Sequence, residues 1–187
     1  MLAYSTISHM GFMLLGILAG SQNGYGSAMF YVLVYALMSL GSFGMILLLS
    51  RAGFEADQLD DFKGLNRRSP WLALGMTIAL LSLAGVPPAA GFFGKFFLFN
   101  AAVQADLTWL ALVGVLWSIV ALYYYLVVIK IMYVDHGQNE DQPIAVQRPT
   151  VWALGLTAVA IILLGTFAVQ ALYQLAAQGA ASLFGAG

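Results

Sequence analysis

Long stretches without any charged residue constrain this chain more than any other feature of its sequence. They run over residues 1–50, 69–94, 107–129 and 149–187. A helix that crosses a bilayer needs about 20 mostly apolar residues, and each of these stretches is long enough to supply one. Only 8% of the 187 residues are charged, whereas a soluble domain carries roughly 25%. The sequence therefore predicts an all-α, polytopic membrane protein in contact with the lipid bilayer.

Composition also limits the chemistry that this chain can carry alone. Its formal net charge of −1 provides no positive field for nucleic acid, so we expect no nucleic-acid partner. Cysteine is absent, which excludes thiolate metal sites and cysteine-ligated iron–sulfur clusters. The two histidines, His9 and His136, lie on different segments and are too few for a zinc or haem site. We therefore predict no metal and no bound cofactor, and any electron transfer is expected in another subunit.

Turn residues and charged segments divide the chain into about five predicted transmembrane helices, within one membrane domain over residues 1–187. Gly and Asn between Gly20 and Gly26 favour a turn. Residues 51–69 hold eight of the fifteen charged residues, and residues 135–149 are also polar, so both segments are predicted loops. The predicted helices cover about 2–19, 27–50, 70–104, 107–134 and 150–177.

The third of these spans contains a predicted break. It is too long for a simple crossing, and Gly85, Pro87, Pro88 and Gly91 interrupt it. Two consecutive prolines remove two backbone donors and cannot continue a helix. We predict that residues 85–91 are not helical and that protein encloses them, because non-helical backbone at membrane depth must be buried in protein or line a wet cavity.

The distribution of basic residues favours one broken crossing over two complete ones. Cytoplasmic loops are enriched in Lys and Arg. With one crossing, six of the seven basic residues face the same side: Arg51, Lys63, Arg67, Arg68, Lys130 and Arg148. The predicted loops 51–69 and 135–149 are then cytoplasmic, and the C-terminus lies on the outer side of an inner (cell) membrane.

Lys95 is the one charged residue deep inside a predicted span. It lies about 16 Å from the outer end of its helix, near the middle of a hydrocarbon core of about 30 Å. A charge at that depth costs about 2.5–3.5 kcal/mol on insertion scales, and intramembrane ionisable residues are generally functional. Broken helices recur at ion sites in transporters. We predict that Lys95 carries protons. The alternative is a fixed structural contact with carbonyls that the prolines expose, or a side chain that reaches an interface.

Other polar residues in the spans suggest a hydrated path. Ser5 and His9 are four residues apart and share a helical face. A histidine within an apolar span is a candidate proton relay; the alternative is a histidine that is held by a hydrogen bond to an adjacent helix or that lies near the interface. Tyr31, Tyr35, Ser39 and Ser42 form a polar stripe on the second helix, although such residues also simply pack helices together. The predicted lining of the path comprises Ser5, Ser8, Tyr35, Ser39 and Ser82.

Two motifs resemble a known family. The opening segment MLAYSTISHMG resembles the signature helix of the antiporter-like membrane subunits of respiratory complex I and of related cation/proton antiporters. The run GLNRRSP at 64–70, followed by LSLAGVPPAAGFFGKF at 81–96, is more similar to the subunit N family of NADH–quinone oxidoreductases. The subunit M family usually carries Glu at the position of Lys95, which makes the second motif the discriminating one.

The resemblance implies redox-driven proton pumping by a larger assembly. NADH and quinone would be used elsewhere in the complex, and other membrane subunits of complex I would be the partners of this chain. Lys95 would accept and release a proton, and His9 would pass it on through intervening water. The missing earlier part of the family pattern suggests that this chain is the C-terminal portion of a longer protein. Two alternatives stay open, namely a subunit of a multi-subunit sodium/proton antiporter and a purely structural membrane subunit.

Overall fold

The structure is a computed structural model that describes residues 1–51, 58–137 and 148–184. These residues form eight α-helices and no strand, which confirms the predicted all-α membrane fold. The helices are α1 (Leu2–Leu18), α2 (Gln22–Arg51), α3 (Leu65–Arg68), α4 (Pro70–Ala84), α5 (Ala90–Gln104), α6 (Thr108–Tyr133), α7 (Arg148–Thr166) and α8 (Val169–Phe184).

Helix α2 is the central element, and α1, α4, α5, α7 and α8 all pack against it. Its 30 residues span about 45 Å at 1.5 Å per residue, so it crosses a bilayer unaided. It begins at Gln22, and the predicted turn over 20–26 is therefore confined to the few residues after Leu18. Gly20 has a φ of +61° there, a conformation that glycine adopts without the steric cost of a Cβ.

Helices α4 and α5 lie end to end along α2 and form the predicted broken span. Near the end of α2, a Cβ at Gly41 would lie 3.4 Å from the Ala79 Cβ of α4. Near its start, the Asn23 side chain donates a 3.2 Å hydrogen bond to Gln104 at the end of α5. The two half-helices thus run antiparallel to one continuous partner, as expected for a single crossing that is broken part-way.

The break occupies residues 85–89, because α5 begins at Ala90 and Gly91 lies in its first turn. The Pro87–Pro88 bond is cis. Ala89 and Ala90 are buried, whereas both prolines are exposed on the surface of the described residues. Within that part of the chain, the prediction that protein encloses the whole break is therefore not met.

The last predicted helix is corrected to two helices. We expected one continuous helix at about 150–177, but α7 ends at Thr166 and α8 begins at Val169. Both halves follow α2: a Cβ at Gly44 would lie 3.0 Å from the Leu154 Cδ2, and one at Gly26 would lie 3.2 Å from the Ala177 Cα. The span is therefore broken like α4–α5, although the sequence contains no proline at this point.

The remaining described segments fit the predicted pattern of spans and polar connections. Among the described helices, three are long and apolar enough to cross a bilayer alone, and they cover Gln22–Ser50, Thr108–Tyr133 and Pro149–Thr166. A 3-10 turn at Leu59–Phe62 and the short helix α3 lie in the predicted loop after α2. Residues 52–57 of that loop and 138–147 of the later loop lie outside the described residues.

Candidate functional site

The end of α4 leaves two backbone carbonyls available at the centre of the broken span. Gly85 adopts a φ of +87°, and this left-handed residue closes a Schellman motif. The Gly85 N–H donates to the Ser82 carbonyl at 3.0 Å, and the Val86 N–H donates to the Leu81 carbonyl at 3.0 Å. These bonds use the carbonyls of residues 81 and 82. The carbonyls of the next two residues, which end the helix, remain available for another donor.

Lys95 supplies that donor. Its Nζ donates to the Leu83 carbonyl at 3.1 Å and to the Ala84 carbonyl at 3.0 Å, and the residue is only 5% exposed. A cation at a helix C-terminus interacts favourably with the negative end of the helix dipole. Nζ also lies 5.0 Å from the centroid of the Phe12 ring, within cation–π range. Among the described residues, no carboxylate forms an ion pair with Lys95.

Glycines give the lysine the room to reach across the break. A Cβ at Gly85 would lie 3.1 Å from the Lys95 Cδ, closer than side-chain carbons normally pack. A Cβ at Gly94 would lie 2.8 Å from the Tyr31 ring, so this glycine lets α5 approach α2 beside the lysine. The sequence therefore places small residues both under the lysine side chain and next to its backbone.

A serine joins the two half-helices. The Gly91 N–H in the first turn of α5 donates to the Ser82 hydroxyl at 3.1 Å, and that hydroxyl donates to the Met38 sulfur of α2 at 2.9 Å. A Cβ at Gly91 would overlap the Ser82 carbonyl. The Ser82 side chain at the end of α4 thus caps the start of α5. The residue that precedes α5, Ala89, makes no side-chain cap itself.

His9 lies in a second polar cluster, one aromatic ring away from Lys95. It is 2% exposed. Its Nδ1 lies 2.6 Å from the Tyr31 hydroxyl, and its Nε2 lies 3.2 Å from the Tyr125 hydroxyl. The Phe12 ring packs edge-on against His9, with centroids 6.2 Å apart. Phe12 therefore contacts both ionisable side chains, and no described hydrogen bond joins them directly.

The His9 cluster is a continuous chain of hydrogen-bonding groups. The Tyr125 hydroxyl is hydrogen-bonded to the Ser5 hydroxyl as well as to His9. A neutral imidazole has one ring nitrogen that donates and one that accepts. With a hydroxyl at each nitrogen, His9 can take up a proton on one side and release it on the other. The chain connects α1, α2 and α6 in the interior of the protein.

Comparison with known proteins gives the family. Residues 1–121 match the family described as NADH:quinone oxidoreductase/Mrp antiporter, TM. The match covers more than half of the chain and includes Lys95 and His9. The chain belongs to this family.

Curated relatives in the family carry the name NADH-quinone oxidoreductase subunit N. The protein from Thiobacillus denitrificans is 58% identical over 165 residues, which cover 88% of this chain and 34% of that protein. The protein from Coxiella burnetii is 50% identical over 167 residues, which cover 89% of this chain and 35% of that protein. The chain therefore spans about a third of the length of the curated relatives that it matches.

Solved structures share the fold. A chain of respiratory complex I from Thermus thermophilus with bound NADH superposes with a TM-score of 0.73 at 28% identity, covering 96% of this chain and 38% of that one. A chain of the Mrp complex from Dietzia sp. DQ12-45-1b gives a TM-score of 0.84 at 22% identity, covering 98% of this chain and 42% of that one. The second likeness shows the fold alone.

The residues predicted to line a path lie in different places. Ser5 belongs to the His9 cluster, and Ser82 belongs to the break. Tyr35 stacks on the His9 ring with centroids 4.9 Å apart, and its hydroxyl donates to Thr6 at 2.9 Å. Ser8 is exposed in a surface groove of about 610 Å³ between α1 and α6. The Ser39 hydroxyl is buried and has no hydrogen-bond partner among the described residues.

Sequence reasoning missed Tyr31 and Tyr125 as partners of His9. Tyr31 belongs to the polar stripe of α2 and lies one helical turn before Tyr35, so it could have been included. Tyr125 is fully buried, whereas the neighbouring Tyr123 is 72% exposed. Tyr123, Tyr124 and Tyr125 are consecutive in α6, and the residues around them are apolar on every face of the helix. No amphipathic pattern therefore marks the side that faces the protein.

Proposed function

We propose that this chain forms part of a membrane subunit of an NADH–quinone oxidoreductase and that Lys95 carries protons through it. The observation that carries the proposal is the position of the lysine. Its ammonium group is buried at a helix break, and among the described residues it is held by the Leu83 and Ala84 carbonyls and by no carboxylate. Ionisable residues inside membranes mark ion and proton pathways, and half-helix ends at a break are a recurrent setting for them.

The contacts of Lys95 favour a carrier over a fixed cation. An ion pair with a buried carboxylate would hold the lysine in its charged form. The contacts of Lys95 are neutral carbonyls and the Phe12 ring. Release of the proton from the amine therefore leaves no unpaired negative charge buried beside it. Lysine is suited to this role because its protonation responds to a change in surroundings, whereas that of arginine does not.

His9 is the proposed next group on the path. Its two nitrogens face the Tyr31 and Tyr125 hydroxyls, so proton uptake and release can occur at opposite edges of one ring. The Phe12 ring between the two clusters carries no exchangeable proton. Transfer between Lys95 and His9 therefore requires intervening water or a movement of one side chain.

The driving reaction takes place elsewhere in the proposed assembly. NADH and quinone are used by other subunits, and this chain binds neither. Its partners are the other membrane subunits of complex I and the lipid bilayer. In the proposed orientation, the loops around 51–69 and 135–149 lie in the cytoplasm and the C-terminus lies outside, because the basic residues are concentrated in those loops.

The test compares two lysine variants of the full-length protein in the assembled complex. Lys95→Ala is expected to lower both proton pumping and coupled NADH oxidation by roughly tenfold or more, because general acid–base groups contribute about 10²–10⁴-fold. Lys130→Ala is the matched control: this lysine pairs with Asp135 at 3.2 Å near the end of α6 and is mostly exposed. It is expected to keep the original rates.

Two results would contradict the proposal. Normal pumping by an assembled Lys95→Ala complex would leave the lysine with a structural role at most. Sodium/proton exchange by membranes that contain the full-length protein, without any coupling of NADH oxidation to proton movement, would favour the antiporter alternative. Proton uptake is measured with a pH-sensitive dye in inverted vesicles, and the amount of assembled complex is measured in the same membranes.

A further inference from the structure

The two helix breaks of this protein touch each other. Gly165 lies in the last turn of α7, immediately before the second break, and it is buried. A Cβ at Gly165 would overlap the Pro88 carbonyl oxygen, and it would lie 2.5 Å from the Ala90 nitrogen and 2.6 Å from the Ala89 carbonyl carbon. The backbone of the final span therefore rests directly on the backbone of the first break.

The contact leaves no space for any residue except glycine. All three atoms that a Cβ at Gly165 would meet belong to the main chain. A crowded side chain can rotate away, but a crowded main chain must move as a whole. Close approach of two backbones is one of the uses for which glycine is required. A side chain at this position would push residues 88–90 away from α7.

Movement of residues 88–90 would move the lysine. Ala90 is the first residue of α5, and Lys95 lies five residues further along the same short helix. Its amine reaches back over the break to the Leu83 and Ala84 carbonyls at the end of α4. The length of both hydrogen bonds therefore depends on the separation of the two half-helices, and the contact with α7 limits that separation from one side.

We propose that Gly165 is a positioning residue for Lys95, acting through the backbone of the first break. This inference rests on the proposed function of Lys95. It assigns a role to the second break, which contains no charged residue of its own. This break ends α7 where the α7 backbone meets residues 88–90. Gly165 thereby keeps the start of α5 at the distance from α4 at which the Lys95 amine reaches the Leu83 and Ala84 carbonyls.

The test uses Gly165→Ala and the matched control Gly155→Ala in the full-length protein and the assembled complex. Gly155 lies in the same helix, and a Cβ there would meet nothing within 4 Å. Gly165→Ala is expected to lower coupled NADH oxidation per assembled complex by roughly tenfold, which lies within the loss of about 10²-fold that a misplacement of about 1 Å can cause. Gly155→Ala is expected to keep the original rate.

A double-variant cycle separates positioning from a general structural defect. If Gly165 acts through the lysine, Gly165→Ala should cause no further loss in a Lys95→Ala background. Losses that multiply in the double variant would overturn the inference, as would a Gly165→Ala complex with the original rate. If Lys95→Ala alone kept the original rate, the proposed function would fail, and any loss in Gly165→Ala would then reflect packing only.

A second combination covers the case in which Gly165→Ala does not accumulate. Ala89→Gly makes the opposing backbone more flexible, so Gly165→Ala with Ala89→Gly is expected to restore the assembled complex. Its coupled rate should still lie several-fold below that of Ala89→Gly alone, since the start of α5 is displaced. Failure to restore assembly, or an undiminished rate, would each overturn the inference.

Discussion

The two broken spans differ in what satisfies their free backbone groups. At the first break, a left-handed glycine ends α4, the Ser82 side chain caps α5, and the Lys95 amine binds the last carbonyls of α4. At the second break, α7 and α8 are separated by Phe167 and Ala168 only, and both of their N–H groups donate to the Leu163 carbonyl. The second break needs no side chain from another helix for those bonds.

The difference shows that a broken helix does not by itself bring an ionisable side chain to its free carbonyls. Both breaks interrupt a span beside α2, and the two are in direct contact. Among the described residues, only the first break brings an ionisable side chain onto the carbonyls of a half-helix. The proposed function therefore depends on the combination of a wide break, with its free carbonyls, and a lysine about one and a half turns into the following helix.

Among Gly85, Ser82 and Thr166, the largest effect is expected from Gly85, the glycine that shapes the first break. Gly85→Ala places a Cβ on a residue with a φ of +87° and 3.1 Å from the Lys95 Cδ. The left-handed conformation costs about 1–2 kcal/mol for a residue with a side chain, and the lysine must also move. We expect coupled NADH oxidation to fall several-fold and thermal inactivation of the complex to accelerate.

Gly75→Ala is the control for that variant. Gly75 lies inside α4, and a Cβ there would make an ordinary 3.4 Å contact with the Met45 methyl group. Alanine in a helix interior stabilises it by roughly 0.5–1 kcal/mol relative to glycine. Equal behaviour of the two variants in rate and inactivation would show that the shape of the first break does not matter.

A smaller effect is expected at the hydrogen bond between Ser82 of α4 and Gly91 of α5. Ser82→Ala removes the acceptor of the Gly91 N–H, and loss of a hydrogen bond typically costs about 1 kcal/mol. Ser42→Ala is the control, because the Ser42 hydroxyl donates only to carbonyls of its own helix, α2. Thermal inactivation should be faster for Ser82→Ala than for Ser42→Ala. The opposite order would contradict the capping role.

The smallest effect is expected from Thr166, an exposed residue at the second break. The Thr166 hydroxyl donates to the Ile162 carbonyl of its own helix at 2.9 Å, and the side chain is exposed. Thr166→Ala should therefore change stability by less than about 0.5 kcal/mol and leave coupled NADH oxidation unchanged. A loss of rate as large as that of Gly85→Ala would show that the two breaks are functionally alike.

The sequence predicted the first break and not the second for a physical reason. Pro87 and Pro88 cannot continue a helix whatever surrounds them, so the break follows from local chemistry. Residues 165–168 contain no proline, and the backbone at Gly165 packs against residues 88–90. A contact between segments far apart in the chain leaves no local pattern.

The candidate site also has one part that the local sequence predicts and one part that depends on how the helices pack. Burial of Lys95 follows from its place within a long apolar span, which the sequence contains directly. The partners of His9 follow from how α1, α2 and α6 are arranged, since Tyr31 and Tyr125 meet it from two different helices. Sequence spacing alone does not show which serines near His9 line a path. Ser5 lies inside the His9 cluster, whereas Ser8 lies on the surface of the described residues.

Proton pumping by a Lys95→Arg variant, in the full-length protein and the assembled complex, tests the central claim most directly. A guanidinium can donate to the Leu83 and Ala84 carbonyls as the amine does, but it stays protonated at physiological pH. A group that only supplies positive charge can therefore be replaced by arginine, and a group that gives up its proton cannot. We expect Lys95→Arg to assemble and to lose most of its proton pumping. An assembled variant that pumps at the original rate would show that a fixed positive charge is sufficient, and Lys95 would not be a proton carrier.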